Sequence, residues 1–259
     1  MLPRADLLQG ADYRETLARL LDLGEQALKT WEVVVSDFLS PPELAEGLRC
    51  FEPLTELTAV AWGGYPQAER QRLAIARTTL NPDSASVPLA FIEIRGNFLF
   101  DTATHRDFLG SLLGTGIVRD KVGDLLLLGE QGSQAIVVPD LVEFLQLHLT
   151  QVRSVPVKVV GIPADQLKIR PPRTKPITSV EASLRLDAVA SAGFSMSRSK
   201  MADLISAGDV QVNWKGVTQT SSTLQTGDLV TVRGRGRLQI EEVMETKKGR
   251  YRVQMTRYL

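Results

Sequence analysis

A chain of 259 residues with 43% hydrophobic and 23% charged side chains can bury one large core or two to three small ones, which excludes disorder as its default state. Thirty basic residues cancel thirty acidic ones, yet residues 1–80 carry 8 against 12, residues 81–165 carry 6 against 10, and residues 166–259 carry 16 against 8; a basic tail behind an acidic front suggests a nucleic-acid-facing region. One cysteine, Cys50, and two histidines, His105 and His148, exclude an internal disulfide and a cysteine-based zinc site, and no leader or membrane span is visible, so a soluble, cytoplasmic protein without metal or cofactor is expected.

From the N-terminus, Leu17, Leu20, Leu21 and Leu28 fall among charged residues at amphipathic-helix spacing, with Asp12 as the expected N-cap. Ser40-Pro41-Pro42-Glu43 restarts a helix with a capping-box pattern. Leu57 to Trp62 reads as a strand entering a tight turn at Gly63-Gly64, ahead of Pro66 and the charged stretch 67–72. Residues 1–82 are therefore expected to form an N-terminal α+β domain.

Residues 83–165 give a readable order of elements: a strand at 87–94, a helix at 104–113 capped by Thr102 or Thr104, apolar runs at 125–128 and 134–138 split by a hairpin signal, a helical face of Leu141, Phe144, Leu145 and His148, and a β-branched strand at 155–160. The order β-α-β-β-α-β predicts a ferredoxin-like, RRM-like middle domain. An RRM stacks bases on aromatics of its central strands, and Gln134 to Val138 has none, so fold analogy alone does not license RNA binding there. Residues 166–180 are expected as a basic, proline-rich linker, either lying along a phosphate backbone or merely solvated.

Residues 181–259 begin with a helix from Ser183 to Asp187 onward, then Gly193-Phe194-Ser195-Met196, a second helix capped by Ser197 and stopped at Gly208, and strands at 210–213 and 229–233 with turns at 214–216 and 227–228. Arg198 and Lys200 sit in a first helical turn, where a cation gains nothing from the helix dipole and a phosphate would give it a reason. Arg185, Lys215 and the Arg233-Gly234-Arg235-Gly236-Arg237 run add further cations to one small domain.

Arg185-Leu186-Asp187, Ser197-Arg198-Ser199, Leu204-Ile205, Gly208, Val210, Val212-Asn213 and Gly227-Asp228 together resemble the S4 RNA-binding domain. Asn213-Trp214-Lys215 with the glycine-arginine run is similar to the YlmH-type subset, and so are Gly63-Gly64-Tyr65-Pro66-Gln67-Ala68-Glu69-Arg70 and His105-Arg106-Asp107-Phe108 through Leu112. The resemblance implies three small α+β domains: an N-terminal domain, the RRM-like middle and a C-terminal S4 domain with a terminal β-hairpin. It also implies a non-enzymatic, monomeric binder of rRNA or tRNA on the large ribosomal subunit, in ribosome-associated quality control or in translation linked to photosystem II assembly. The expected RNA contacts are Arg185, Ser197, Arg198, Ser199, Lys200, Asn213, Trp214, Lys215, Arg233, Arg235 and Arg237, with Asp187 either orienting Arg185 or capping local structure and Trp214 either stacking on a base or packing on its own hairpin. Gly63, Gly64, Tyr65, Arg70, His105 and Arg106 are expected to form a second RNA or partner surface.

Two other function classes compete. An adaptor would use Gly63-Gly64-Tyr65 and residues 104–112 to dock protein, the S4 domain only localising it. A pseudouridine synthase would need its catalytic aspartate in a separate, larger domain, whereas Arg185-Leu186-Asp187 lies in the S4 helix itself. His105-Arg106-Asp107 lacks the asparagine of a kinase catalytic loop, and no glycine-rich loop offers a nucleotide site.

Overall fold

The front of the chain folds because its leucines recur on one helical face. In the computed structural model, which describes residues 2–171 and 173–258, a single turn α1 (Arg4–Leu7) precedes α2 (Arg14–Thr30), and α2 buries Leu17, Leu20, Leu21 and Ala27. Pro172 of the expected linker lies outside the described residues. Asp12 does not cap α2: Tyr13 holds that position, and the backbone amides of Asp12 and Tyr13 donate to the Glu46 carboxylate at 2.9 and 2.8 Å. After β1 (Val34–Val35), α3 (Pro41–Phe51) starts on the Ser40 and Glu43 capping box.

Cys50 is buried on α3, where burial raises its thiol pKa, as suits a small apolar residue. The strand β2 (Leu57–Trp62) pairs antiparallel with β3 (Arg72–Arg77), the centre of a three-stranded sheet in the order β1-β3-β2. Sequence reading took Arg72 for the end of a charged stretch and so missed β3, whose residues 73–76 are fully buried between terminal arginines. Arg72 is itself buried because backbone carbonyls satisfy it: its Nε donates to Ser36 at 2.7 Å and its Nη1 to Pro88 at 2.5 Å.

The middle segment runs β4 (Ala90–Arg95), α4 (His105–Gly114), β5 (Val122–Leu127), β6 (Gly132–Val137) and α5 (Val142–His148). A two-residue hairpin of β7 (Gln151–Val152) and β8 (Val155–Pro156) then leads into β9 (Lys158–Ile162). The sheet is antiparallel in the order β5-β6-β4-β9, the ferredoxin-like arrangement with the first and third main strands at its centre. Ile92, Ile94, Ala135 and Val137 face a core shared with Phe98, Phe108, Leu112 and Leu145. The alternate residues Phe91 and Ile136 face the other way and join a second cluster with Phe38, Tyr65, Ala68, Ile162 and Leu167. That cluster binds the front segment to the middle sheet, so residues 1–169 form one compact unit.

Residues 170–259 form the other unit. Its strands are β10 (Thr174–Glu181), β11 (Val210–Val212), β12 (Lys215–Gly216), β13 (Leu229–Val232), β14 (Gly236–Glu245) and β15 (Tyr251–Tyr258), in the order β10-β15-β14-β13-β11-β12. Residues 174–180, expected as linker, are an edge strand paired with β15 from Thr174 against Tyr258 to Glu181 against Tyr251. Alternation places Ile177 against the core, and an edge position tolerates Pro176. Two helices, α6 (Leu186–Gly193) and α7 (Arg198–Ser206), cover one face, burying Val189, Phe194, Met201 and Ile205 against Val230, Leu238, Ile240 and Val253. α6 begins at Leu186 rather than Ser183, because Leu184 and Arg185 stay extended: the Leu184 carbonyl accepts from Leu224 N at 2.8 Å.

Candidate RNA interface

Two arginines of the second unit, Arg185 and Arg198, meet on one buried acid. Asp187, in the first turn of α6, is 5% exposed. Its carboxylate accepts two bonds from Arg185, Nε at 3.0 Å and Nη2 at 3.1 Å, and one from Arg198 Nε at 2.9 Å. Burial opposes ionisation of Asp187, but the Arg185 and Arg198 hydrogen bonds outweigh it and hold the carboxyl below the usual range. One carboxylate thus fixes two guanidiniums and neutralises only one. With side chains 40% and 57% exposed, Arg185 and Arg198 keep N–H donors facing water. Ser197 caps α7 by accepting from Lys200 N at 3.3 Å, and Ser199 and Lys200 are exposed in the same turn. The unfavourable placement of Arg198 against its own helix dipole therefore has an internal compensation in Asp187, besides any external anion.

The other expected contacts lie apart from this cluster. Strand alternation puts Arg237 on the face opposite Leu238, away from the helices, and its guanidinium sits 5.1 Å from the Trp214 ring centroid. One face of the Trp214 ring thus meets a side chain of β14 rather than of its own β11–β12 hairpin. Asn213 is an exposed turn residue: at φ +48, its Nδ2 donates to Asp228 at 2.7 Å and its Oδ1 accepts from Leu229 N at 2.9 Å. Lys215 is exposed at this turn, while Arg233 and Arg235 are exposed on the β13–β14 turn, Arg233 reaching Asp209 at 3.9 Å.

The expected second surface divides. His105 and Arg106 are exposed at the start of α4 behind Thr104, which forms a capping box with Asp107. Gly63 and Tyr65 are buried and Arg70 is partly buried. Tyr65 is 9% exposed and its hydroxyl donates to Asp124 at 2.7 Å, with burial and that bond holding the phenol pKa far above its ordinary value. The Asp124 carboxylate also accepts from the amides of Glu69 and Arg70, at 2.7 and 3.0 Å. Arg70 reaches the Val122 and Phe38 carbonyls and Asp120. Gly63 and Gly64 are required by close approach: a Cβ would lie 2.4 Å from the Arg70 oxygen at Gly63, and 2.8 Å from the Phe91 ring at Gly64, whose φ is +97. The motif is a clasp holding the front segment to the middle sheet.

Comparison with known proteins places these features in one family. Residues 12–80 match "YlmH, N-terminal", residues 82–166 match "Putative RNA-binding domain in YlmH", and residues 184–230 match "S4 domain". The ribosome-associated protein quality control protein P2 of Bacillus subtilis is 30% identical over 247 residues, covering 95% of both chains. The chain belongs to the YlmH family. A solved structure titled cell division protein ylmH from Streptococcus pneumoniae aligns at a TM-score of 0.53 and 18% identity, covering 61% of this chain and 94% of that one, a likeness of fold.

This YlmH-family chain therefore has an N-terminal domain, a middle domain and a C-terminal S4 domain, as the resemblance implied. Its middle domain departs from an RRM at the decisive place. The sheet face an RRM offers to RNA is closed: every residue of β6 is buried, Phe91 and Ile136 lie under the Gly64 turn, and Gln134 is bonded to Gln166 O at 3.0 Å and Lys168 N at 2.7 Å. Sequence reading missed Asp124, whose partners Tyr65, Glu69 and Arg70 are distant in the chain. It also missed Phe100, whose exposure no local pattern announces. No helix among the described residues is long and apolar enough to cross a membrane.

Proposed function

We propose that this chain binds structured RNA, without catalysis, through Arg185 and Arg198 held on Asp187 and through Lys200 of the same α7 turn as Arg198, with Ser197 and Ser199 in that turn and Lys215, Arg233 and Arg235 as outlying phosphate contacts. Two guanidiniums held by one buried carboxylate at the start of α7 carry this reading. Phosphate oxygens would complete donors that Asp187 leaves open. The quality-control role named for the Bacillus subtilis relative supports rRNA or tRNA on the large ribosomal subunit as the ligand. Replacing Arg198 and Lys200 together by Ala tests it: binding to ribosomal RNA weakens, and the slope of log affinity against log salt flattens by up to about two phosphate contacts. An unchanged affinity and slope would sink the proposal.

A further inference from the structure

We propose that the β4–α4 loop, residues 97–104, with the start of α4, is a second RNA contact on which Phe100 stacks an unpaired base while Arg106 and Lys158 face the adjoining phosphates. The proposal rests on the RNA-binding reading above and adds a site to it.

Phe100 is 93% exposed in the full chain, although both ends of its loop are pinned. On one side Phe98 is fully buried, its ring 5.1 Å from that of Phe108, and its amide donates to Glu130 O at 3.0 Å. Between them, the Asn97 side chain accepts from Leu99 N at 3.2 Å. On the other side the Asp101 carboxylate accepts from Arg153 Nε at 2.8 Å and from the amide and hydroxyl of Ser154. The loop is held so that Leu99 and Phe100 project between two anchors. A ring left in water forgoes roughly 1.5–3 kcal/mol of burial, and pinned anchors keep it from folding inward.

The surrounding charge favours a nucleotide over an apolar protein pocket. Arg153 reaches both Asp101 and Asp107, the latter at 3.8 Å, which draws the two ends of residues 101–107 together, with Phe100 and Arg106 as chain neighbours of the two bridged acids. These two acids are further satisfied by Ser154 and Thr104, and Glu93 is held by Arg95 at 2.8 Å. Arg106 and Lys158 make no described ion pair, and Lys158 pairs with Arg95 across the strands where β4 enters the loop. Glu130 is the exposed acid near the loop base. An exposed aromatic on a loop whose own acids are paired, with exposed cations at the starts of α4 and β9, fits the chemistry of single-stranded RNA recognition, while the sheet face is sealed.

The test uses the full chain and 4-thiouridine-labelled ribosomal RNA. Phe100→Ala binds that RNA about tenfold more weakly, the worth of one stacked base, with the salt slope unchanged, and Phe100→Trp restores affinity. Irradiation crosslinks RNA to the peptide bearing residues 99–106. Phe100 touches nothing in the core, so its replacement leaves unfolding unchanged. Wild-type affinity of Phe100→Ala without a crosslink overturns the proposal; if Arg198→Ala with Lys200→Ala still loses affinity, the S4 reading stands alone. Loss of binding to intact ribosomes but not to deproteinised RNA would assign the loop to a ribosomal protein and also overturn it.

Discussion

Replacing Asp187 by Asn separates two accounts of the basic cluster. The substitution keeps the side chain's size but removes the charge that three guanidinium hydrogen bonds meet, and it turns an amide donor toward Arg185 or Arg198. Because both arginines are substantially exposed and can turn to water, the loss of folding stability is about 1–2 kcal/mol, below that for a fully buried pair. Counting charge alone, the variant gains a unit of positive charge and should hold RNA more tightly. If Asp187 acts by positioning, each guanidinium regains about 0.5–1.5 kcal/mol of freedom, so affinity falls by about 1–3 kcal/mol, roughly five- to 150-fold. Filter binding to ribosomal RNA at fixed salt, with urea unfolding as the stability check, decides between them. Equal or tighter binding refutes the positioning argument. The same carboxyl gives a pH signature: its folded pKa is depressed, so its stabilisation is complete above the ordinary aspartate value near 4 and is lost as pH falls through the lower folded value. In Asp187→Asn that acid-side loss is smaller.

The clasp between front and middle segments gives further expectations. Tyr65→Phe removes the bond to Asp124 and lowers stability by about 0.5–1.5 kcal/mol in urea unfolding while leaving RNA affinity unchanged; reduced affinity with intact stability would return Tyr65 to the RNA surface. Gly64→Ala forces a side chain onto φ +97 and into the Phe91 ring and costs about 1–3 kcal/mol, read as a lowered melting temperature. Asp124→Asn weakens three bonds at once and destabilises more than Tyr65→Phe, a ranking that the same unfolding assay checks.

The features legible in sequence were those written in local pattern. The Ser40 and Glu43 cap, the strand from Leu57 to Trp62, the β-α-β-β-α-β order and the Ser197 cap all follow from spacing within a few residues, and the structure has them. The strand β3 escaped because arginines bracket its apolar centre, and Arg72 is buried by carbonyls from distant loops. The Gly63-Gly64-Tyr65 motif was visible but its packing role was not: glycine at a tight approach and glycine at a binding loop look alike until Phe91 and Asp124 are placed beside them. The turn role of Asn213 was hidden for a related reason, since its carboxamide partners, Asp228 and Leu229, lie fifteen and sixteen residues away. The role of Asp187 as an orienting acid was readable for Arg185 two residues away, but the bond from Arg198 needed the fold.

The central claim is that RNA meets the chain at the start of α7. Ultraviolet crosslinking of the chain in cells, followed by sequencing of the bound RNA and mass spectrometry of the attached peptide, tests it most directly. The account predicts ribosomal RNA or tRNA joined to peptides within residues 185–200. Crosslinks absent from that stretch, with RNA recovered only elsewhere or not at all, would contradict it.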